Sequence, residues 1–357
     1  MMKKYNKTCD LLIKHCCDYP GLQLQDIFKF LYQSAFGCEH FVSSLEKATE
    51  IIKEEYNHMP HKYIQGIEPL DGSYSRVPLS YMRRGISAET LGRLFVLSAR
   101  QEEPGLTILM EKLKAAKALV RDGYIPFTEE AFENAVNQWA SEGYKSVHHS
   151  DAFREKYCPS YRVIANRYIP FLPLFAEIDK LLSEKKVIIA VDGGSASGKT
   201  TLSRMLEEIY QCTVFHMDDF FLRPEQRTPE RYGQAGGNVD RERFLSEVLE
   251  PLSMGEDVLY RKFDCASMTL AEGERVIAER LVIVEGAYSM HPELEGWYDF
   301  SVFLDISPEL QRERILHRNS NEKAKSFFER WIPLENAYFE QTDIRNRCKM
   351  IIAAEPC

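Results

Sequence analysis

At 357 residues the chain is longer than one hydrophobic core usually supports, so two domains are expected. With 45 Lys and Arg against 54 Asp and Glu, a net charge of −9, it lacks the basic footprint of a duplex-binding domain, and nucleic acid is not an expected partner. No run approaches the ~18 apolar residues of a membrane helix and M-M-K-K-Y-N-K-T-C-D lacks a signal-peptide core, so a cytoplasmic protein without a membrane partner is expected.

The first half reads as helical. L-Q-L-Q-D-I-F-K-F-L-Y-Q-S-A-F, E-T-L-G-R-L-F-V-L-S-A-R and L-T-I-L-M-E-K-L-K-A-A-K-A-L-V all carry apolar residues at helical spacing, and few convincing strands appear. Y-R-V-I-A-N-R-Y-I-P-F-L-P-L-F-A-E-I-D-K-L-L continues that pattern with interruptions at Pro170 and Pro173, and a charged S-E-K-K connector follows. The boundary is placed near Ser183, giving a mostly helical domain over residues 1–182 and a second domain over 183–357. Nine cysteines show no C-x-x-C pair and no zinc spacing, which implies reduced, mostly buried thiols and no structural metal.

Clusters rather than motifs mark this half. His148, His149, Ser150, Arg154, Tyr157, Tyr161 and Arg162 crowd one short span; Gln33 and His40 fall two turns apart on one predicted helix; Arg76, Arg83 and Arg84 lie in a Gly/Pro/Ser-rich loop region. Such residues suit the lining of an anion-binding pocket, and equally suit satisfied interface and surface positions. Adjacent His148 and His149 point to different faces of a helix and make a poor metal pair. A regulatory sensor, a dimerisation module within a homo-oligomer, or a second enzyme all remain open for this half.

From Lys186 onward strands alternate with helices, the signature of a parallel sheet with helices on both faces. Candidate strands are Val187–Val191, Thr213–Met217, Leu281–Val284, Ser301–Leu304 and Met350–Ala353. Ligands of such sheets lie across the strands' carboxyl ends. There, directly after the first strand, stand Gly193, Gly194, Ser195, Ala196, Ser197, Gly198, Lys199 and Thr200, the G-x-x-x-x-G-K-[ST] phosphate-binding loop, with Thr201 opening the helix beyond. Gly193 and Gly198 let the backbone wrap an oxyanion with its N–H groups inward, Lys199 adds a charge at the β/γ-phosphates, and Thr200 offers a hydroxyl to Mg²⁺. ATP and Mg²⁺ are the expected cofactors. Asp218 and Asp219 end the second strand, where a carboxylate can take a proton from an attacking hydroxyl; helix capping is the plainer alternative. Glu285 ends the third, where an acidic group near Mg²⁺ is expected.

These pieces resemble the uridine kinase and phosphoribulokinase group of P-loop phosphotransferases from about Lys186 onward; no resemblance extends to the N-terminal half. The resemblance rests on G-G-S-A-S-G-K-T, on D-D-F-F, on G-G-N-V-D-R-E-R-F, on K-F-D, on V-E-G-A-Y and on S-P-E-L-Q-R-E-R-I-L-H-R. It implies Asp218 as general base, Asp240 and Asp264 as acceptor-binding residues with Asp219 beside them, Glu285 as a metal-site residue, and Arg314 and Arg318 as phosphate-clamping arginines of a lid helix. Met268 stands near the place of an expected base-recognising histidine, which puts uracil recognition in doubt. Arg223, Arg227 and Arg231 raise the alternative of an anionic acceptor, with a solvent-exposed loop as the plainer reading. The expectation is an ATP-dependent kinase for a small-molecule hydroxyl (a nucleoside, sugar or sugar phosphate); the alternative is a nucleotide-driven switch or regulator acting on the helical half.

Overall fold

A computed structural model describes residues 6–38, 44–60, 66–99 and 105–354. The chain divides into two compact units, Met1–Asp179 and Lys180–Cys357.

The first unit contains α1 (Asn6–Asp18), α2 (Leu24–Phe36), α3 (Leu45–His58), β1 (Glu68–Pro69), β2 (Tyr74–Pro78), α4 (Ala88–Ala99), α5 (Gly105–Arg121), α6 (Glu129–Ser141), α7 (Asp151–Tyr157), β3 (Tyr161–Ala165) and the start of α8 (Leu172–Leu182). Side-chain oxygens of Ser44, Thr128 and Ser150 cap α3, α6 and α7, each accepting from a backbone N–H three residues on. The apolar faces of α2, α4 and α5 supply Ile27, Phe30, Leu31, Leu91, Leu94 and Leu109 to the core, all fully buried.

Several expectations for this unit are corrected. β1, β2 and β3 form an antiparallel sheet, and Tyr161–Ala165 is a strand rather than the head of a helix. β-branched Val163 and Ile164 fit a pleated surface, and pairing with β2 satisfies their backbone. Arg76 is a buried strand residue, not a loop residue, and Arg83 and Arg84 end a short 3-10 turn, Leu79–Arg84. α2 ends at Phe36 because Gly37, at φ 63°, closes it, so the helix carrying Gln33 does not reach position 40; His40 itself lies outside the described residues. His148 and His149 precede α7 instead of riding on a helix.

The second unit contains β4 (Val187–Gly193), α9 (Lys199–Tyr210), β5 (Thr213–His216), α10 (Pro229–Tyr232), α11 (Arg241–Phe244), α12 (Glu250–Met254), β6 (Val258–Tyr260), β7 (Phe263–Asp264), β8 (Thr269–Leu270), β9 (Glu274–Val276), β10 (Leu281–Glu285), β11 (Phe300–Asp305), α13 (Pro308–Arg318), α14 (Asn321–Ser326), α15 (Ile332–Thr342), α16 (Ile344–Arg347) and β12 (Met350–Ala353). Five strands form a parallel sheet in the order β12-β11-β4-β10-β5. β4 lies between β10 and β11, and its buried run of Val187, Ile189, Ala190 and Val191 is what a central strand covered on both faces requires. The pairs β6–β9 and β7–β8 form small antiparallel ribbons that the sequence patterns did not announce.

Among the described residues no helix is long and apolar enough to cross a membrane, and no cluster of His, Cys, Asp and Glu could hold a metal. Eight described cysteines are free thiols, but Cys17, Cys158 and Cys265 are exposed, so burial is less general than expected.

Candidate active site

The loop after β4 adopts a shape only its own sequence permits. Gly193 sits at φ 144°, and a Cβ there would meet the Leu304 carbonyl oxygen of β11 at 2.5 Å. Gly198, at φ 107°, is the N-cap of α9, and Ala196 between them is held at φ 63°. Gly193→Ala should therefore force β4 and β11 apart at this point, costing about 1–3 kcal/mol as overpacking; thermal unfolding of the variant, with a lowered Tm, is the check.

Lys199 Nζ donates to the carbonyls of Gly193 and Gly194 at 2.8 and 3.0 Å. Its ammonium is thus parked on the loop that would present it to phosphate. Thr200 Oγ1 donates to Glu285 Oε1 at 3.0 Å, and His216 Nδ1 lies 2.7 Å from the same oxygen. Burial alone would push the Glu285 carboxyl up, but the His216 contact and the Lys199 charge hold it below the usual range. The His216 contact, together with the Glu285 charge, raises the imidazole against the opposing effect of burial. Gly286, at φ 144°, turns the chain immediately after Glu285, where a Cβ would strike Met217 at 2.7 Å.

Asp218 and Asp219 occupy the 3-10 turn Met217–Phe220 that follows β5. Asp218 is reachable by solvent, yet the protein around it desolvates its carboxyl enough to raise it above the ordinary range, with Lys199 pulling the other way and Glu285 adding to the rise. Asp219 is raised for the same first reason, and Lys262 opposes it. A carboxylate with raised affinity for a proton, beside a phosphate loop, is equipped to accept one.

α13 reaches the loop from the other side. Arg314 donates to the Ala196 carbonyl at 3.1 Å, and Gln311 Nε2 donates to the Ser195 carbonyl at 2.9 Å. Arg318 stacks over Phe327 at 5.6 Å, close enough for its charge to favour ionised Asp218. Both arginines of the expected lid therefore border the mouth, one anchored on the loop and one leaning on an aromatic ring.

The other expected acceptor residues separate. Asp240 caps α11 and is buried, while its Oδ2 has no hydrogen bond although Arg243 and Arg223 approach to 3.5 and 3.8 Å. Asp264 is exposed and accepts from Ala266 N and Ser267 Oγ in its own turn, leaving little of it for a ligand. Arg231 is engaged with the Gly237 and Val239 carbonyls and with Glu242, and Arg227 donates twice to the Leu222 carbonyl. These two arginines brace the 222–242 segment. In the turn between β7 and β8, burial lifts the Cys265 thiol, Arg227 lowers it, and Asp264 and then Asp218 contribute to the rise.

Two site residues were not singled out in the sequence. Asp192, fully buried, accepts from Gly193 N, Met290 N and the Tyr338 hydroxyl at 2.7–3.0 Å, and burial pushes it up to about 6 despite those donors. Glu335 of α15 accepts from Ser195 N at 2.8 Å and from Ser195 Oγ at 2.6 Å. Asp192 was visible as an acidic residue between Val191 and Gly193; Glu335 stands 140 residues from its partner and had no local signal.

A phosphate-binding loop after the central strand, acidic groups ending the two strands on one side of it and arginines on the facing helix make up the candidate site. Residues 188–329 match the family model described as "Phosphoribulokinase / Uridine kinase family". The resemblance to that family over the C-terminal half is thereby shown. Three relatives illustrate the range. A bifunctional alpha-galactosidase/sucrose kinase of Mediterraneibacter gnavus is 30% identical over 185 residues, 44% of this chain and 19% of the relative. A phosphoribulokinase of a Synechocystis species is 24% identical over 149 residues, 40% of this chain and 45% of the relative. A uridine kinase of Geobacillus kaustophilus is 26% identical over 178 residues, 45% of this chain and 83% of the relative. The chain thus spans less than half the length of the first two.

Proposed function

We propose that the C-terminal unit transfers the γ-phosphoryl group of ATP to a hydroxyl of a neutral, hydroxyl-rich small molecule of the sugar or nucleoside class. Lys199 and the loop amides hold the triphosphate, Asp218 takes the proton of the attacking hydroxyl as its oxygen bonds to the γ-phosphorus, and ADP departs. Arg314 and Arg318 neutralise the transferring group, so that catalysis is mostly positioning and electrostatics. The donor set suits Mg²⁺: Thr200 and Glu285 converge through hard oxygens, with Asp218 close enough to feel the Glu285 charge. When bound there, Mg²⁺ would neutralise phosphate charge.

One observation carries the acceptor class. Asp219 Oδ2, Asp240 Oδ2 and Asn238 Nδ2 are buried without hydrogen-bond partners, and buried polar atoms are rarely left so. The two carboxylate oxygens have only loose ion pairs, to Lys262 at 4.0 Å and to Arg243 and Arg223 at 3.5 and 3.8 Å, which leaves two acceptors and a donor for the hydroxyls of a polyol. A neutral acceptor is favoured over an anionic one because Arg227 and Arg231 are already committed to backbone and Glu242, and Arg223 stands beside Glu225 at 3.4 Å. The relative whose name includes sucrose kinase points toward sugars. Met268 sits in the β7–β8 turn at φ 60°, which gives no support to uracil recognition.

The test is ADP release by the full chain with Mg·ATP against nucleosides, mono- and disaccharides, and sugar phosphates. Release that requires a neutral polyol is expected. Preference for a sugar phosphate would sink the acceptor assignment, and acceptor-independent release would replace the kinase by a nucleotide-driven switch.

A further inference from the structure

Inside the N-terminal unit a cavity of about 990 Å³ opens among α2, α3, the stretch ahead of α7, and β3. Gln33, His148, His149, Arg154, Tyr161 and Arg162, scattered over 130 positions of sequence, all line it. Its size lies at the upper end of small-molecule sites, which run to about 1,000 Å³.

Charge is unbalanced around this space. Lys29, Lys47, Arg154 and Arg162 face it against Glu55, and Glu55 is taken by Arg162 at 2.8 Å. Among the described residues, Lys29, Lys47 and Arg154 have no carboxylate partner; Lys29 donates only to the Val147 carbonyl, at 3.2 Å. The nearest acid on the same helix, Asp26, is fully buried, and its oxygens are spent on His149, Gln23 N and both donors of Ser150. Burial, then repulsion from Arg76 and Arg154, brings the Lys29 ammonium down to about 8. Cations gathered this way around a hollow are stabilised by an anion that enters it.

The wall is also oriented. Arg76, fully enclosed and sandwiched between the Phe30 and Tyr161 rings, donates through Nε to Gln33 Oε1 at 2.9 Å. Because a guanidinium can only donate, Gln33 must present its oxygen to Arg76, and its Nε2 donors are left for a ligand. Tyr161 in turn is held by His149 Nε2 at 2.7 Å. Beside the cations, Tyr32 one turn from Lys29 on α2, Ile51 one turn from Lys47 on α3, and Met59 and Phe95 supply apolar surface.

We infer that this cavity is a second small-molecule site, which binds an organic phosphate with its phosphate group at Lys29, Arg154 and Gln33 and its apolar or aromatic body on Tyr32, Ile51 and Phe95. This site is independent of the phosphoryl-transfer assignment, since none of its residues belongs to the phosphate loop.

Cys158, exposed and in the cavity wall, and Cys265, exposed in the turn between β7 and β8 of the other unit, allow binding at the cavity to be told from binding elsewhere in one chain. The full-length protein is alkylated with iodoacetamide in the presence of AMP, UMP, glucose 6-phosphate or inorganic phosphate, and both cysteines are followed by mass spectrometry alongside calorimetric titration. At least one organic phosphate should bind one per chain and slow Cys158 alkylation fivefold or more while Cys265 is unaffected. Binding should weaken at least tenfold in Arg154→Gln, an exposed position whose change leaves the fold intact, and in Lys29→Met, with Lys29→Arg retaining it. No protection of Cys158 by any organic phosphate overturns the inference. So does protection of Cys265 alone, or affinity unchanged in both Arg154→Gln and Lys29→Met.

Discussion

Replacing Asp218 by Asn should lower kcat by about 10²–10⁴-fold while the KM for ATP stays within about twofold, because only proton transfer at the acceptor is removed. The expectation rests on where the residue stands. Asp218 follows β5, next but one to the loop-bearing strand, and it feels the charges of Lys199, Glu285, His216 and Arg318. Its raised carboxyl also fixes the pH behaviour. The proposed base works only when ionised, so activity should fall as pH drops, and since desolvation by the surrounding protein raises this group above its ordinary 3.8, the acid limb of the kcat profile should have its midpoint above that value. In Asp218→Asn the limb attributable to this residue disappears. Activity and acid limb both retained in that variant, but lost in Asp219→Asn, would move the base by one residue.

How much of this was legible depends on the distance over which each feature is specified. The phosphate loop was readable because eight consecutive residues and their flanks specify it: backbone freedom at Gly193 and Gly198, a cation at Lys199 and a hydroxyl at Thr200 all act within one turn of chain. The parallel sheet was readable from buried runs such as Val187–Val191 and Leu281–Val284. Its order was not, because β4 takes neighbours nearly a hundred residues away in β10 and more than a hundred in β11, and no local pattern encodes a crossover. Glu335 was hidden for the same reason. Tyr161–Ala165 reads as helix in sequence because Tyr161, Ile164, Ala165, Tyr168 and Leu172 fall at helical spacing, so a helical period can be drawn through a strand. In the N-terminal half Gln33, Arg76 and the 148–162 span stand out in sequence only as separate groups, because Gln33, Arg76 and Tyr161 meet only through the β2–β3 pairing and the packing of α2.

Lys199→Ala should reduce kcat by on the order of 10²-fold or more, from the loss of one charged donor aimed at the transferring phosphoryl group. The resting contacts make the prediction sharper than the motif alone. Lys199 is bonded to the Gly193 and Gly194 carbonyls, so the ammonium is already beside the loop, and nucleotide binding requires an exchange of two neutral acceptors for charged phosphate oxygens rather than a search through solvent. Glu335 holds Ser195 independently of Lys199, so the loop backbone should keep its shape in the variant and nucleotide should still bind, though more weakly. The measurable signature is a collapse of acceptor-dependent ADP release with the Tm of the nucleotide-free chain nearly unchanged. If acceptor-dependent release survives in Lys199→Ala at more than about a tenth of the original rate, the charge at the β/γ-phosphates is supplied by another residue, and Arg314, already resting on the Ala196 carbonyl, is the one placed to supply it.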